Sequence, residues 1–202
     1  MPIIKLGEPL PAQIRARVAP LRAMNSSTLV FSRALLRERG LGERYASLVE
    51  PAAREALDAL PSGVWAPTAL ARAHFEACDA LDLDERVQLE MGYEIAGRLH
   101  GAVLKLALRL AGAAGATPLF LAGKAVKVWS QRNDGGDMLL VHTAEREARV
   151  ELLGYTLADI ASVRVMWRAV LAANARLLMT RARVTEIAEA SDATTLAYRM
   201  AW

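Results

Sequence analysis

A single cysteine, Cys78, stands in a chain of 202 residues. No disulfide can close within it, which fits a reducing compartment. One thiol also argues against a structural zinc site, which draws on several cysteines and histidines. The histidines, His74, His100 and His142, lie far apart with no HExxH or other paired spacing, so no metal centre is expected. Aromatic residues are 5% of the chain, too few for base-stacking platforms. The net charge is only +3, and basic residues alternate with acids, as in "RALLRERGLGER". A nucleic-acid binder gathers its basic residues on one face, so nucleic acid is not an expected partner. No run of 18 apolar residues exists. The longest candidate, from Ile95 to Ala116, is interrupted by Arg98, His100, Lys105 and Arg109, and no membrane span is expected. The opening "MPIIKLGEPLPAQIR" lacks a basic stretch followed by an apolar one, so no signal peptide is read and a cytoplasmic location is expected. There is no G-x-S-x-G elbow, no Walker loop and no G-x-G-x-x-G after a strand. No catalytic residue and no cofactor is expected, and "GGD" at Gly135 to Asp137 reads as a turn rather than a phosphate cradle.

What the chain does have is apolar mass. At 53% hydrophobic and 23% charged it can bury a core of one domain, or one domain with a helical extension. Pro2, Pro9 and Pro11 predict an extended start. "SSTLVFSRALLRERGLG" predicts a helix from Ser26 or Ser27 to a stop at Gly40–Gly42, and "ERYASLVEPAAREALDAL" a second with Pro51 at a break or a new first turn. "PSGVWAP" reads as a linker, which divides the chain into an N-terminal helical extension (1–63) and an α+β domain (64–202). Beyond it come a helix capped by Thr68, a long helix that begins at "DLDE" and ends in small residues, and a shorter helix from Pro118.

From "NDGGD", read as a turn, the period changes. "MLLVHTA" and "REARVELLGY" form a hairpin, "TLADIASVRVMWRAVLAANARLLM" returns to helical spacing, and "RARVTEIAEA" and "TTLAYRMAW" form a second hairpin. In that helix Ile160, Val163, Trp167, Val170, Leu171, Asn174 and Leu178 share a face. In the last strand Leu196, Tyr198, Met200 and Trp202 alternate with Thr195, Ala197, Arg199 and Ala201. The expected fold class is α+β: a helical N-terminal part, a long central helix, and a four-stranded antiparallel sheet made of two hairpins separated by a helix.

The long helix carries Gly92, Gly97 and Gly101, each costing about 1 kcal/mol relative to alanine in a helix interior. On a helical wheel it is apolar on two sides, with Glu94, Arg98, Lys105 and Arg109 on one narrow polar stripe. Such a helix is sandwiched between partners, and the glycines are candidates for close helix packing. Tyr93 and His100 share a remaining sector and, with Asn174, are the candidate pocket residues; satisfied core groups are the alternative reading. His74 and Cys78 form an i,i+4 pair that could pose as base and nucleophile, yet a solitary cysteine is more often a small buried apolar residue.

"MGYEIAGRL" resembles the glycine-containing helix of transport-protein-particle (TRAPP) subunits. "ATPLF…VWSQRNDGGDMLLV" resembles that family's turn, tryptophan and hairpin region, and the segment from Ile160 to Trp202 resembles its helix and terminal hairpin. The fold is shared with bacterial 4-vinyl reductase domains and haem-nitric-oxide-binding domains, and within it the chain looks most like a family of myxobacterial proteins with an N-terminal helical extension. The resemblance covers roughly residues 64 to 202. It implies binding rather than catalysis: a hydrophobic small molecule or acyl chain held between helices and sheet, and signalling through a protein partner or homodimer. A ligand-free interaction scaffold is the alternative. The acylated cysteine of TRAPP subunits follows the glycine helix, whereas Cys78 precedes it, so acylation is not carried over. Haem-holding relatives use an axial histidine and a tyrosine–serine–arginine clamp. "YTLADIASVR" has those residue types at another spacing and His100 lies outside a matching motif, so haem is not carried over either.

Overall fold

The computed structural model describes residues 12–113, 115, 126, 129–177 and 181–202, with backbone alone at 12–13, 101–109, 112–113 and 142. The expected extended start and the helix from Pro118 lie outside the described residues, apart from single positions.

Helices α1 (Ala12–Arg15), α2 (Ser27–Glu38), α3 (Gly42–Leu48), α4 (Pro51–Ala59) and α5 (Thr68–Ala80) precede the long α6 (Glu85–Ala113). The glycine stop after α2 works as the sequence predicts. Gly40 has φ 71°, and the amides of Gly40 and Leu41 donate to the carbonyls of Arg37 and Leu36, which satisfies two otherwise unpaired acceptors. Pro51 is the first residue of α4, and the carboxylate of Glu50 caps it by accepting from the Ala53 amide at 3.0 Å. Two expected caps serve other ends. Ser26 Oγ donates to Pro61 O (2.7 Å) and accepts from Val64 N (3.1 Å). Thr68 is the first helical residue of α5, and its hydroxyl donates to Leu21 O at 3.0 Å. Both hydroxyls fasten helices to loops rather than to their own first turns.

Those ties surround a small sheet that the sequence reading lacks. Strands β1 (Ala23–Asn25), β2 (Trp65–Pro67) and β3 (Asn133–Asp134) pair antiparallel in the order β2–β1–β3. "PSGVWAP" and "NDGGD" are thus partly strand. At two or three residues each, these strands are too short to show a period. Gly135 follows β3 with φ 87°, and a Cβ there would sit 2.2 Å from Pro20 O, so only glycine fits. The small sheet joins segments on both sides of residue 63.

The larger sheet is the expected one. Hairpin β4 (Asp137–Ala144) and β5 (Glu147–Leu153), helix α7 (Ala161–Arg176), then β6 (Arg183–Glu186) and β7 (Leu196–Ala201) give the antiparallel order β4–β5–β7–β6. Val150 pairs with Leu140 on one side and Tyr198 on the other. Leu196, Tyr198 and Met200 are buried as the alternation predicts, and Tyr198 reaches α7 to donate its hydroxyl to Arg164 O at 2.8 Å. Ala197, on the opposite face, is buried as well, in a second cluster with Ile187 and Ala190. On that opposite face Arg149 and Glu151 are buried in full. The N-terminal segment is tied to this side by Arg15, which pairs with Asp192 at 2.6 Å.

Helix α7 differs from expectation in two ways. It starts at Ala161, not Thr156, because its cap comes from α5: the Asp79 carboxylate accepts from the amides of Ala161 (3.0 Å) and Ser162 (2.6 Å). Its buried stripe includes Val163, Met166, Ala169, Leu171, Ala172 and Ala175, whereas Trp167, Val170 and Asn174 are half-buried. The small residues lie where α6 packs closest.

Candidate functional site

That close approach is built by Gly92. A Cβ placed on it would stand 2.5 Å from Ala169 Cβ and 3.5 Å from the backbone of Met166, so α6 and α7 meet there with no room for a side chain. Gly97 is half-buried further along α6, and Gly101 is described by backbone alone. Gly92→Ala is expected to lower unfolding stability by about 2 kcal/mol through overpacking. A urea midpoint unchanged from wild type would refute the tight crossing.

Beside this crossing α2, α5, α6 and α7 enclose a cavity of about 40 Å³, lined among others by Ser32, Phe75, Cys78, Met91, Gly92 and Met166. That holds a water-sized guest and little more; pockets for drug-sized ligands run to roughly 300–1,000 Å³. The lining is mostly apolar, with four polar groups: the Ser32 and Ser162 hydroxyls, the Cys78 thiol and Gln88. Gln88 donates Nε2 to Leu83 O at 2.7 Å, and its Oε1 is buried without a partner.

A polar relay backs the cavity. His74 on α5 is fully buried, with Nδ1 2.7 Å from Tyr45 Oη on α3 and Nε2 3.0 Å from Ser32 Oγ on α2. Cys78 Sγ lies 3.6 Å from the same Nε2. Either imidazole tautomer completes the chain, since both neighbours are hydroxyls able to donate or accept. Burial, reinforced by the nearby Arg33 charge, lowers the His74 pKa to about 3, so the ring is neutral. Burial pushes the Cys78 thiol up to about 12, against a hydrogen bond from Ser32. A nucleophilic cysteine needs the opposite shift. The i,i+4 pair visible in the sequence is therefore a structural polar core, joined by Tyr45 and Ser32 from helices that sequence spacing could not connect.

On the other side of α7 an aromatic cluster fills the seam with the sheet. Trp129 stacks on Trp167 (centroids 5.9 Å, planes 29° apart), and Tyr155 meets Trp167 edge-on (5.7 Å, 84°) and Trp129 at 6.2 Å. Trp129 donates Nε1 to Gly135 O at 3.2 Å. Tyr155 Oη and Trp167 Nε1 are both buried without a well-formed hydrogen bond. Burial raises the Tyr155 pKa, and the Trp167 N–H acts in the other direction.

The residues singled out from sequence sit elsewhere. Tyr93 is half-buried on α6 beneath the guanidinium of Arg176, 4.7 Å from the ring centroid. Asn174 is half-buried on α7, and His100 half-buried on α6. None of the three lines the cavity at the helix crossing; Gly92 does.

No protein-family model and no curated protein matches the sequence. Solved structures do match. The Fe(II) unliganded H-NOX protein of K. algicida superposes with a TM-score of 0.65 at 9% identity, over 88% of this chain and 96% of that one. A point mutant of the same protein gives 0.63 at 10% identity, with 88% and 96% covered. A third structure, from work on modulating haem redox potential through protein-induced porphyrin distortion, gives 0.52 at 11% identity, with 89% and 100% covered. The chain has the H-NOX fold.

The H-NOX likeness raises the question of haem, and the side chains answer it in part. In "YTLADIASVR" Tyr155 is packed among indoles. Ser162 donates its hydroxyl to Phe75 O at 3.3 Å. Arg164 donates to Ala158 O at 2.7 Å and pairs with Glu186 at 2.6 Å. The three do not converge on a common carboxylate. His74 has both ring nitrogens engaged. This segment and this histidine do not fit a haem held by an axial imidazole and a tyrosine–serine–arginine clamp.

Proposed function

We propose that the protein is a non-enzymatic module that binds a hydrophobic small molecule other than haem and signals by contact with a protein partner. The observation that carries the reading is the H-NOX fold across 88% of the chain, a fold two of whose matching structures are described as Fe(II) unliganded. The side chains support a ligand class without iron, since the clamp residues are spent on structural bonds. The buried Tyr155 hydroxyl, met only by the Trp167 N–H at the seam between α7 and the sheet, keeps a proton that an oxygen of such a ligand would accept.

A ligand-free scaffold is the second reading, favoured by the roughly 40 Å³ volume of the helix-crossing cavity. Native mass spectrometry of freshly purified protein separates the two. The binding reading expects an adduct of a few hundred daltons that is released on denaturation, no Soret band, and loss of the adduct in Tyr155→Phe. Protein mass alone with a stable dimer in light scattering supports the scaffold. A bare monomer defeats both, and a Soret band defeats the exclusion of haem.

A further inference from the structure

Arginines in this protein usually have carboxylates of their own. Arg39 pairs with Glu94 at 2.5 Å, Arg98 with Glu38 at 2.5 Å, Arg72 with Asp159 at 2.9 Å, Arg22 with Asp134 at 2.7 Å, and Arg164 with Glu186 at 2.6 Å. A different arrangement holds beside α4. Between α2, α3 and α4 lies a recess of about 100 Å³ whose lining includes Arg33, Arg37 and Arg54 with one acid, Asp58.

Two of these guanidiniums share a single carboxylate oxygen. Arg33 and Arg37 both donate Nη2 to Asp58 Oδ1, the latter at 3.0 Å. Arg33 also donates Nη1 to Leu57 O, and its side chain is 8% exposed. Arg54, the third, has only a long bond from Nη1 to Ala46 O at 3.4 Å. Of the other acids nearby in sequence, Glu38 holds Arg98, Glu50 caps α4, and the exposed Glu43 and Glu55 do not line the recess. Three positive charges and one negative therefore face one concave space. Gly42 helps to shape it, since a Cβ there would stand 3.1 Å from Arg37 Cγ and press on that side chain. Tyr45 also lines the recess, with its hydroxyl committed to His74.

We propose that this recess is a binding site for a small tetrahedral oxyanion, phosphate or the terminal phosphate of a small ester. Guanidinium forks match the oxygen spacing of such a group and bind it by paired, charge-assisted hydrogen bonds. Arg33, fixed by Leu57 and Asp58, forms the floor. Arg37 and Arg54 reach in from opposite walls, on α2 and α4. A dianion cancels the excess of two charges that the chain leaves there. The site is independent of the ligand reading above, because its lining includes neither Tyr155 nor Trp167 and shares no residue with the cavity at the helix crossing.

The test titrates the full chain with inorganic phosphate and separately with glycerol 2-phosphate, at ionic strength held constant with sodium chloride. Isothermal calorimetry and thermal melting are the readouts. Wild type should show saturable binding and a raised Tm. Arg37→Gln and Arg54→Gln should each weaken binding about tenfold or more, the loss of one charge-assisted hydrogen bond or fork. Arg44→Gln, on exposed α3 surface outside the recess, should leave binding unchanged. Circular dichroism confirms that the variants fold. Tighter binding of the ester assigns an organic phosphate, and tighter binding of the inorganic ion assigns free phosphate. Absence of saturable binding, or equal binding in wild type, Arg37→Gln and Arg54→Gln, overturns the proposal.

Discussion

Arg149→Met should cost about 3–5 kcal/mol of unfolding free energy at pH 7. Arg149 and Glu151 lie two apart on β5, hence on one face of the sheet, and form an ion pair with both side chains at 0% exposure. Taking two charges out of water is expensive, and their attraction roughly repays it. Removing one partner leaves the other's desolvation uncompensated. Burial already raises the Glu151 pKa, while the charge and hydrogen bond of Arg149 act to lower it. Without Arg149 the carboxyl rises further, which fixes the sign of the pH effect. A carboxyl with a raised native pKa contributes stability that is present at low pH and lost as pH rises through it, so the Arg149→Met deficit should shrink towards pH 5. The double variant Arg149→Met/Glu151→Leu, which removes both charges of the pair, should recover most of the loss at pH 7. Urea unfolding of wild type, single and double variants at both pH values decides the matter. A single variant within 1 kcal/mol of wild type, or a double variant no better than the single, would show that the pair is not truly desolvated.

The two hairpins and the length of α6 were legible because each follows one period over many residues, and the four-stranded order follows from their sequence order. What escaped was long-range. The start of α7 is set by Asp79, 82 and 83 residues before the amides it caps, so "TLAD" looked helical when it is a turn. The strands around Met24 are stabilised by partners 40 residues away or more, with too few residues to alternate. Close packing was legible as three glycines, but only structure shows that Gly92 is pressed against Ala169. Of the relay, the His74–Cys78 spacing was visible, while Tyr45 and Ser32 come from other helices. The H-NOX fold persists at 9–11% identity because burial pattern and element order specify it, whereas a binding site depends on particular side chains. The fold is therefore shared without the clamp.

His74 gives the chain its own acid sensitivity. Its imidazole titrates near 3 in the folded protein against 6.5 when free. Between those values the unfolded chain holds one more proton than the folded one, so stability falls as pH falls. Going from pH 7 to pH 5, this group alone should remove about 2 kcal/mol. Glu38 and Asp159, held below their ordinary range by hydrogen bonds from Arg98 and Arg72, lose their contribution only at lower pH. His74→Gln isolates the effect, because His100 and His142 are common to both proteins. At pH 7 the variant should be less stable by about 3 kcal/mol, since Tyr45 and Ser32 are left with imperfect partners in a buried site. At pH 5 the wild type pays for keeping its imidazole neutral and the variant does not, so the gap should narrow to about 1 kcal/mol. A gap that stays constant between pH 7 and pH 5 would mean that His74 is protonated or solvated in the folded state, and the sealed relay between α2, α3 and α5 would have to be abandoned.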